Sequence, residues 1–278
     1  MIMLSAKRIQ KEIWQFLGRA GLVVIAFAYA FPILYMVVSS FRSERDIAPP
    51  SLSFRPTLDN YSAVINGDLL LHLGNSVLIT LVTVLLTAVI GVPMAYAIVF
   101  GKLRRPMFHY NWTLTTVLLP AVAVIMPLYV IVSKLGLLDS QLLMIVLYTS
   151  IGIPLMVWMV TTYLVDVPPS IRDAARIDGC TRWQDFWYVI FPIIRGGVAS
   201  TSLLVFVLTW NEFLFAVSFT FTNAGTLPVY MNRYMTQEGL FWGKMSAVAT
   251  IAILIPVVFG VIAQKSLVRG LLSGAVKE

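Results

Sequence analysis

The sequence predicts an all-α membrane protein with six transmembrane helices, and three observations carry that prediction. First, its 278 residues are 59% hydrophobic and only 12% charged, with a mean hydropathy of +0.85. A soluble chain of this length has no means of hiding that much apolar surface. Second, the apolar residues are gathered in runs of about 20, the length that crosses a bilayer as a helix. Third, the short alternating segments of a membrane β-barrel are missing from the sequence.

The spans are expected at 21–40, 76–100, 113–133, 142–164, 198–221 and 245–265. The first resembles a signal peptide, because Lys7, Arg8, Lys11 and Arg19 precede it and "AYA" at 28–30 fits a cleavage pattern. The apolar run nevertheless continues to Ser40, longer than the core of a cleaved signal, so it is expected to be a retained span. Pro32, Pro93, Pro120, Pro127, Pro154 and Pro256 fall inside spans, where each removes a backbone donor and kinks its helix. Two prolines in the third span point to a pathway or to ordinary packing kinks, since broken helices persist where a cavity or neighbouring helices satisfy the backbone.

Orientation follows from the basic residues. With the N-terminus in the cytoplasm, the inner segments hold 14 Lys and Arg and the outer segments 6 of the total of 20. The bias puts both termini inside. The net charge of +7 is spread in short clusters beside apolar runs, which argues against a nucleic-acid partner. The single cysteine, Cys180, excludes an intramolecular disulfide and offers no metal site. No repeat or second domain is evident, so residues 1–278 are expected to form one transmembrane domain with an inner region at 165–197. A short amphipathic helix is expected from Leu58 in the first outer segment.

Within the inner region, 170–197 reads "SIRDAARIDGCTRWQDFWYVIFPIIRGG". Pro168 and Pro169 stop the fourth span, and Ser170 with Asp173 fits a capping box. Gly179 terminates a helix of about two turns, too short to cross a membrane. Ile171, Ala174 and Ala175 share one face, with Arg172 and Arg176 four apart on another. A second capping box, Thr181 with Gln184, opens a helix whose Trp183, Phe186, Trp187 and Ile190 form an apolar stripe, ending at Pro192. This helix is expected to lie along the interface and support the first as a projecting knob. The alternative is an ordinary charged loop.

Asp173-Ala174-Ala175, then Gly179, then Pro192, resembles the "EAA" motif of importer-type ABC transporter permeases, with Asp for Glu and with Phe191 where Leu is usual. "TLDNYSAVI" (57–65), "NSVLIT" (75–80), "WNEFLFA" (210–216) and "GLLSGAVKE" (270–278) resemble the carbohydrate branch, specifically its maltose-type second permease subunit. The resemblance implies a type I importer architecture in a bacterial or archaeal cytoplasmic membrane. It implies a second related permease, two ATP-binding subunits and an extracytoplasmic solute-binding protein as partners, besides lipid. The partner subunits would use ATP and magnesium, and this chain would bind no cofactor and catalyse nothing. The ATPase-coupling contacts implied are Ile171, Arg172, Asp173, Ala174, Ala175, Arg176, Asp178 and Gly179. A second ATPase contact is implied for the tail, at Ser273, Gly274, Ala275 and Lys277.

Glu212 is the one acidic residue expected deep in a span, where an uncompensated charge costs about 3 kcal/mol. With Asn211 it is a candidate pathway group. A partner pair or a wet position near the interface explains it equally well. Tyr230, Asn232 and Tyr234 of the outer loop are candidates for contact with a binding protein, or members of an interfacial aromatic belt. An ion-coupled secondary carrier of a polar solute is the rival function, but that class usually carries several intramembrane ionisable groups. No phosphate-binding G-x-x-x-x-G-K-[ST] loop is present in the sequence, so energy must come from elsewhere.

Overall fold

Apolar runs divided by polar punctuation fold as helices here because a helix satisfies its own backbone where water is absent. The computed structural model describes the backbone of residues 2–47, 54–237 and 239–275, and the side chains of 14–47, 54–237 and 239–262. The helices are α1 (Ile2–Ser40), α2 (Glu44–Ile47), α3 (Asp59–Ile65), α4 (Leu69–Phe100), α5 (Pro106–Thr115), α6 (Ala121–Lys134) and α7 (Gln141–Val165). They continue as α8 (Pro169–Ile177), α9 (Arg182–Gln184), α10 (Phe191–Trp210), α11 (Leu214–Phe219), α12 (Leu227–Asn232) and α13 (Trp242–Ala275). A two-stranded antiparallel hairpin, β1 (Met235–Thr236) and β2 (Gly239–Leu240), precedes α13.

Among the described residues five helices are long and apolar enough to cross a membrane, or six if one bent pair counts as a single span. That pair lies where the third span is expected. The expected single helix is broken between Pro106–Leu118 and Ala121–Lys134, which meet at 91°. Pro120 is the cause. It lacks a donor, and Leu119 before it is driven into extended conformation (ψ 122°). Pro32, Pro93, Pro127, Pro154 and Pro256 are instead carried inside continuous helices.

The fifth span needs the larger correction. Pro192 does not end a separate interfacial helix, because α9, a π-turn at Asp185–Ile190 and α10 run on as one span, Arg182–Trp210. The widened turn lets the Phe191 N–H reach back five residues to the Phe186 carbonyl just before the proline ring. The far end also differs from the expected 198–221, since the helix stops at Trp210 where Asn211 and Glu212 begin a polar break.

The chain divides into two compact units. The first comprises Met1–Gly67 and Tyr234–Ile251. Here the Asn60 side chain donates to the Ser40 and Arg42 carbonyls at 3.0 and 2.6 Å, pinning α3 beneath the end of α1. The Glu44 carboxylate accepts the Gly243 and Lys244 amides, an acidic cap on the first turn of α13.

The second unit comprises Asp68–Arg233 and Ala252–Glu278. Its spine is α4 packed along α7, brought together at small residues as membrane helices require. A Cβ on Gly91 would lie 2.7 Å from Met156 Cγ, and one on Gly152 would lie 2.8 Å from Thr87 Oγ1. One apolar cluster joins Val92, Met156, Val160, Phe186, Ile190 and Ile194 at the end of the unit where α8 sits. A second, with Ile79, Met144, Tyr148, Phe215 and Phe219, fills the opposite end.

Candidate coupling site

Helix α8 begins on proline. Pro169 occupies the first turn, where its missing donor costs nothing, and Pro168 stands at the cap, so Ser170 is inside the helix and caps nothing. Its end fits the expectation. Gly179 adopts φ +77°, the Cys180 amide returns to the Ala175 carbonyl at 3.0 Å, and the Gly179 amide returns to Arg176 at 3.1 Å. The Thr181–Gln184 capping box is present with both reciprocal bonds.

The faces of α8 differ from the expected ones. Ala174 is exposed, whereas Ala175 is buried within this chain. Arg172 also turns inward. Its Nε and Nη2 each donate to Asp185 Oδ2 at 3.2 Å, and its guanidinium lies 3.9 Å from the Phe100 ring centroid. Asp173 and Arg176 face outward as an exposed pair 3.3 Å apart. Ile171 and Asp178 are exposed, and Ile177 is 87% exposed. Ile177, inside the expected docking segment but not singled out by the motif, lies three residues beyond Ala174 on the same face. In the aromatic stripe, Phe186 and Ile190 are core residues, while Trp183 and Trp187 stay exposed.

Glu212 stands in the break after α10. Its carboxylate accepts the Phe215 amide at 2.9 Å and the Ala216 amide at 3.3 Å, capping α11, and takes a hydrogen bond from the Tyr148 hydroxyl. Asn211 does not pair with it, and instead donates back to the Val207 carbonyl. Glu212 and Tyr148 also line a cavity of about 420 Å³ that is otherwise nearly all apolar, with Leu114, Leu118, Trp158 and Leu208 on its wall.

At the same end of the unit, the segment after α11 is organised by Asp139, which the sequence reading overlooked. Its carboxylate accepts the backbone amides of Phe221, Thr222, Asn223 and Ala224 at 2.9–3.1 Å. It also accepts the Thr222 hydroxyl and the Asn223 side-chain amide. Burial pushes its pKa up, but the backbone amides outweigh that and hold it well below the usual carboxylate range. Asp139 itself adopts φ +56°, a conformation that Asp tolerates better than most residues.

The segment is further tied down by Asn75, which donates to the Asn223 and Gly225 carbonyls, and by Ser76, which accepts the Leu227 amide. Tyr230 is not a surface group. It is buried, its ring 4.8 Å from that of His72. Asn232 ends α12 half-buried, and Tyr234 closes the hairpin by accepting the Phe241 amide. The backbone of Ser273, Gly274 and Ala275 belongs to α13, while their side chains and all of Lys277 lie outside the described residues.

The candidate spans of the second unit thus form a helical bundle with the small capped helix α8 at one end. The family model described as "Binding-protein-dependent transport system inner membrane component" matches residues 87–273, and the chain belongs to that family. It is the permease subunit of an ABC importer, a class whose ATP hydrolysis resides on partner subunits. The trehalose/maltose transport system permease protein MalG of Thermococcus litoralis is 30% identical over 92% of this chain and 95% of its own. The trehalose transport system permease protein SugB of Mycobacterium tuberculosis is 31% identical over 93% and 96%. The crystal structure of a bacterial ABC transporter that imports the acidic polysaccharide alginate contains a chain of the same fold. Its TM-score is 0.73 at 20% identity, over 91% of this chain and 96% of that one.

Proposed function

We propose that this chain acts as a single permease domain forming half of the pathway of a carbohydrate importer, beside a second related permease. Two ATP-hydrolysing subunits on the cytoplasmic side would drive it, using ATP and magnesium, and an extracytoplasmic binding protein would deliver the solute. The carbohydrate assignment is supported by the trehalose and maltose relatives. Family membership does not favour the ion-coupled carrier.

The observation that carries the coupling assignment is the two-sidedness of α8. Ala175 and Arg172 secure it to the chain's own core, which leaves Ile171, Asp173, Ala174, Arg176, Ile177 and Asp178 to meet an ATPase cleft, with Gly179 shaping its end. The tail from Ser273 to Lys277 is proposed as a second contact. At the other end of the second unit, the Asp139-braced segment with Asn232 is proposed to meet the binding protein, while Asn211 and Glu212 border the pathway; Tyr234 of the first unit is proposed as a separate binding-protein contact. Both termini would then be cytoplasmic.

The test is reconstitution with the partner subunits and binding protein in liposomes, using labelled trehalose and maltose as probes. Uptake is expected only with ATP, the ATPase subunits and the binding protein together. Uptake by this chain alone on an ion gradient defeats the reading. For the site itself, Ala174→Trp is expected to weaken association of the ATPase subunits about tenfold, or roughly 1.4 kcal/mol.

A further inference from the structure

Tyr96, Arg172 and Asp185 come from α4, α8 and the π-turn, and they converge on a single oxygen. Asp185 Oδ2 accepts Arg172 Nε and Nη2 at 3.2 Å each, and the Tyr96 hydroxyl at 2.6 Å. The Arg172 guanidinium also stacks on Phe100, the last residue of α4. Both charges are largely withdrawn from water, with side chains 14% and 10% exposed. The neighbouring Asp173–Arg176 pair is 63% and 65% exposed, and pairs of that kind hold little together.

Burial is what makes the inner pair a fastener. Asp185 Oδ1 has no hydrogen-bond partner among the described residues, so the bonds to this carboxylate gather on one side. Removing Arg172 would leave a buried carboxylate without its counter-charge. Removing Asp185 instead would strand an arginine that cannot shed its proton. The π-turn that carries Asp185 is a geometry found frequently at functional positions, with wider hydrogen-bond rings than an α-helix. A nine-residue helix tethered only by loops would pivot against such a turn.

Resting on the coupling role assigned to α8 above, we propose that Tyr96, Arg172 and Asp185 form a clamp. It locks α8 to the ends of both α4 and the Arg182–Trp210 span, so that displacement of α8 by the ATPase subunits reaches both membrane helices as one rigid movement. These are positioning residues, acting through α8 and touching no solute.

The experiment uses the assembled transporter with spin labels at Ile177→Cys and Leu103→Cys in a Cys180→Ser background. With the clamp intact, the label-to-label distance stays narrow and unchanged between nucleotide-free and ATP-bound states. Arg172→Gln is expected to broaden it and make it ATP-dependent, and to lower stimulation of ATP hydrolysis by the binding protein at least about fivefold. Tyr96→Phe removes one hydrogen bond without stranding a charge, and is expected to broaden the distance less. It decides the matter alone if Arg172→Gln does not assemble. A distance that stays narrow and ATP-independent in every assembled variant overturns the clamp. Immobilisation of the Ile177 label when ATPase subunits are added tests the docking role separately. If that immobilisation is seen while distances stay narrow, only the clamp fails; if it is missing in the unmodified clamp, the docking role fails.

Discussion

Asp139 and Glu212 are both acidic residues that serve as caps for backbone amides, yet only Glu212 stood out in the sequence. It did so because a carboxylate amid apolar residues is conspicuous, whereas Asp139 in "KLGLLDSQ" looks like any turn residue. Its role depends on amides more than 80 residues away, which no local pattern reveals. Because its pKa is lowered on folding, Asp139 stabilises the fold fully above the ordinary carboxylate pKa, and that contribution is lost as pH falls through the lowered value. Asp139→Asn should therefore cost about 1–2 kcal/mol after allowance for partial exposure, evenly between pH 5 and 8. The difference from wild type should shrink below about pH 4. Hydrogen exchange at 221–224 reads this directly, and a deficit that grows on acidification would contradict the assignment. For Glu212, a double-mutant cycle of Glu212→Gln with Tyr148→Phe should return a coupling of about 1 kcal/mol. Strict additivity in thermal denaturation would mean the hydroxyl contributes nothing.

At the scale of elements, the features legible in advance were those whose physics is local. The Thr181–Gln184 box and the glycine terminator were readable because a cap needs only its own four or five residues. The continuous Arg182–Trp210 span was not, since nothing in "FWYVIFP" announces the π-turn that carries the helix past Pro192. The inward turn of Arg172 and Ala175 on α8 was hidden for a similar reason. Arg172 looks solvent-facing until Asp185 and Phe100 are brought beside it by the fold. Gly179 offers a clean test of the terminator. A Cβ there would meet nothing within 4 Å, so substitution is penalised only by the backbone at φ +77°. Gly179→Ala should cost about 1 kcal/mol and Gly179→Asn distinctly less, because Asn tolerates the left-handed region. Equal losses for the two in thermal melts would show that crowding matters after all.

For the molecule as a whole, six spans are expected from hydropathy alone, and the described residues hold five continuous candidate spans, or six if the bent pair counts as one. Which face of the membrane each end occupies is a question of charge. The 14-to-6 division of Lys and Arg predicts that α8 and both termini face the cytoplasm. The contacts in the second unit supply an independent constraint. The 101–105 segment and α8 share one end through Phe100 and Arg172, while Asp139 and 221–224 share the other. Any one loop located experimentally therefore orients the unit. Ile177 is the natural reporter, being 87% exposed. In a Cys180→Ser background the chain has no other cysteine, so Ile177→Cys carries its sole thiol. In vesicles from cells lacking the ATPase subunits, a membrane-impermeant maleimide should label it in inverted vesicles and spare it in right-side-out ones. Thr222→Cys, on the Asp139-braced segment, should show the reverse pattern. Labelling of both from the same side would break the topology and, with it, the assignment of α8 to the side where ATP is hydrolysed.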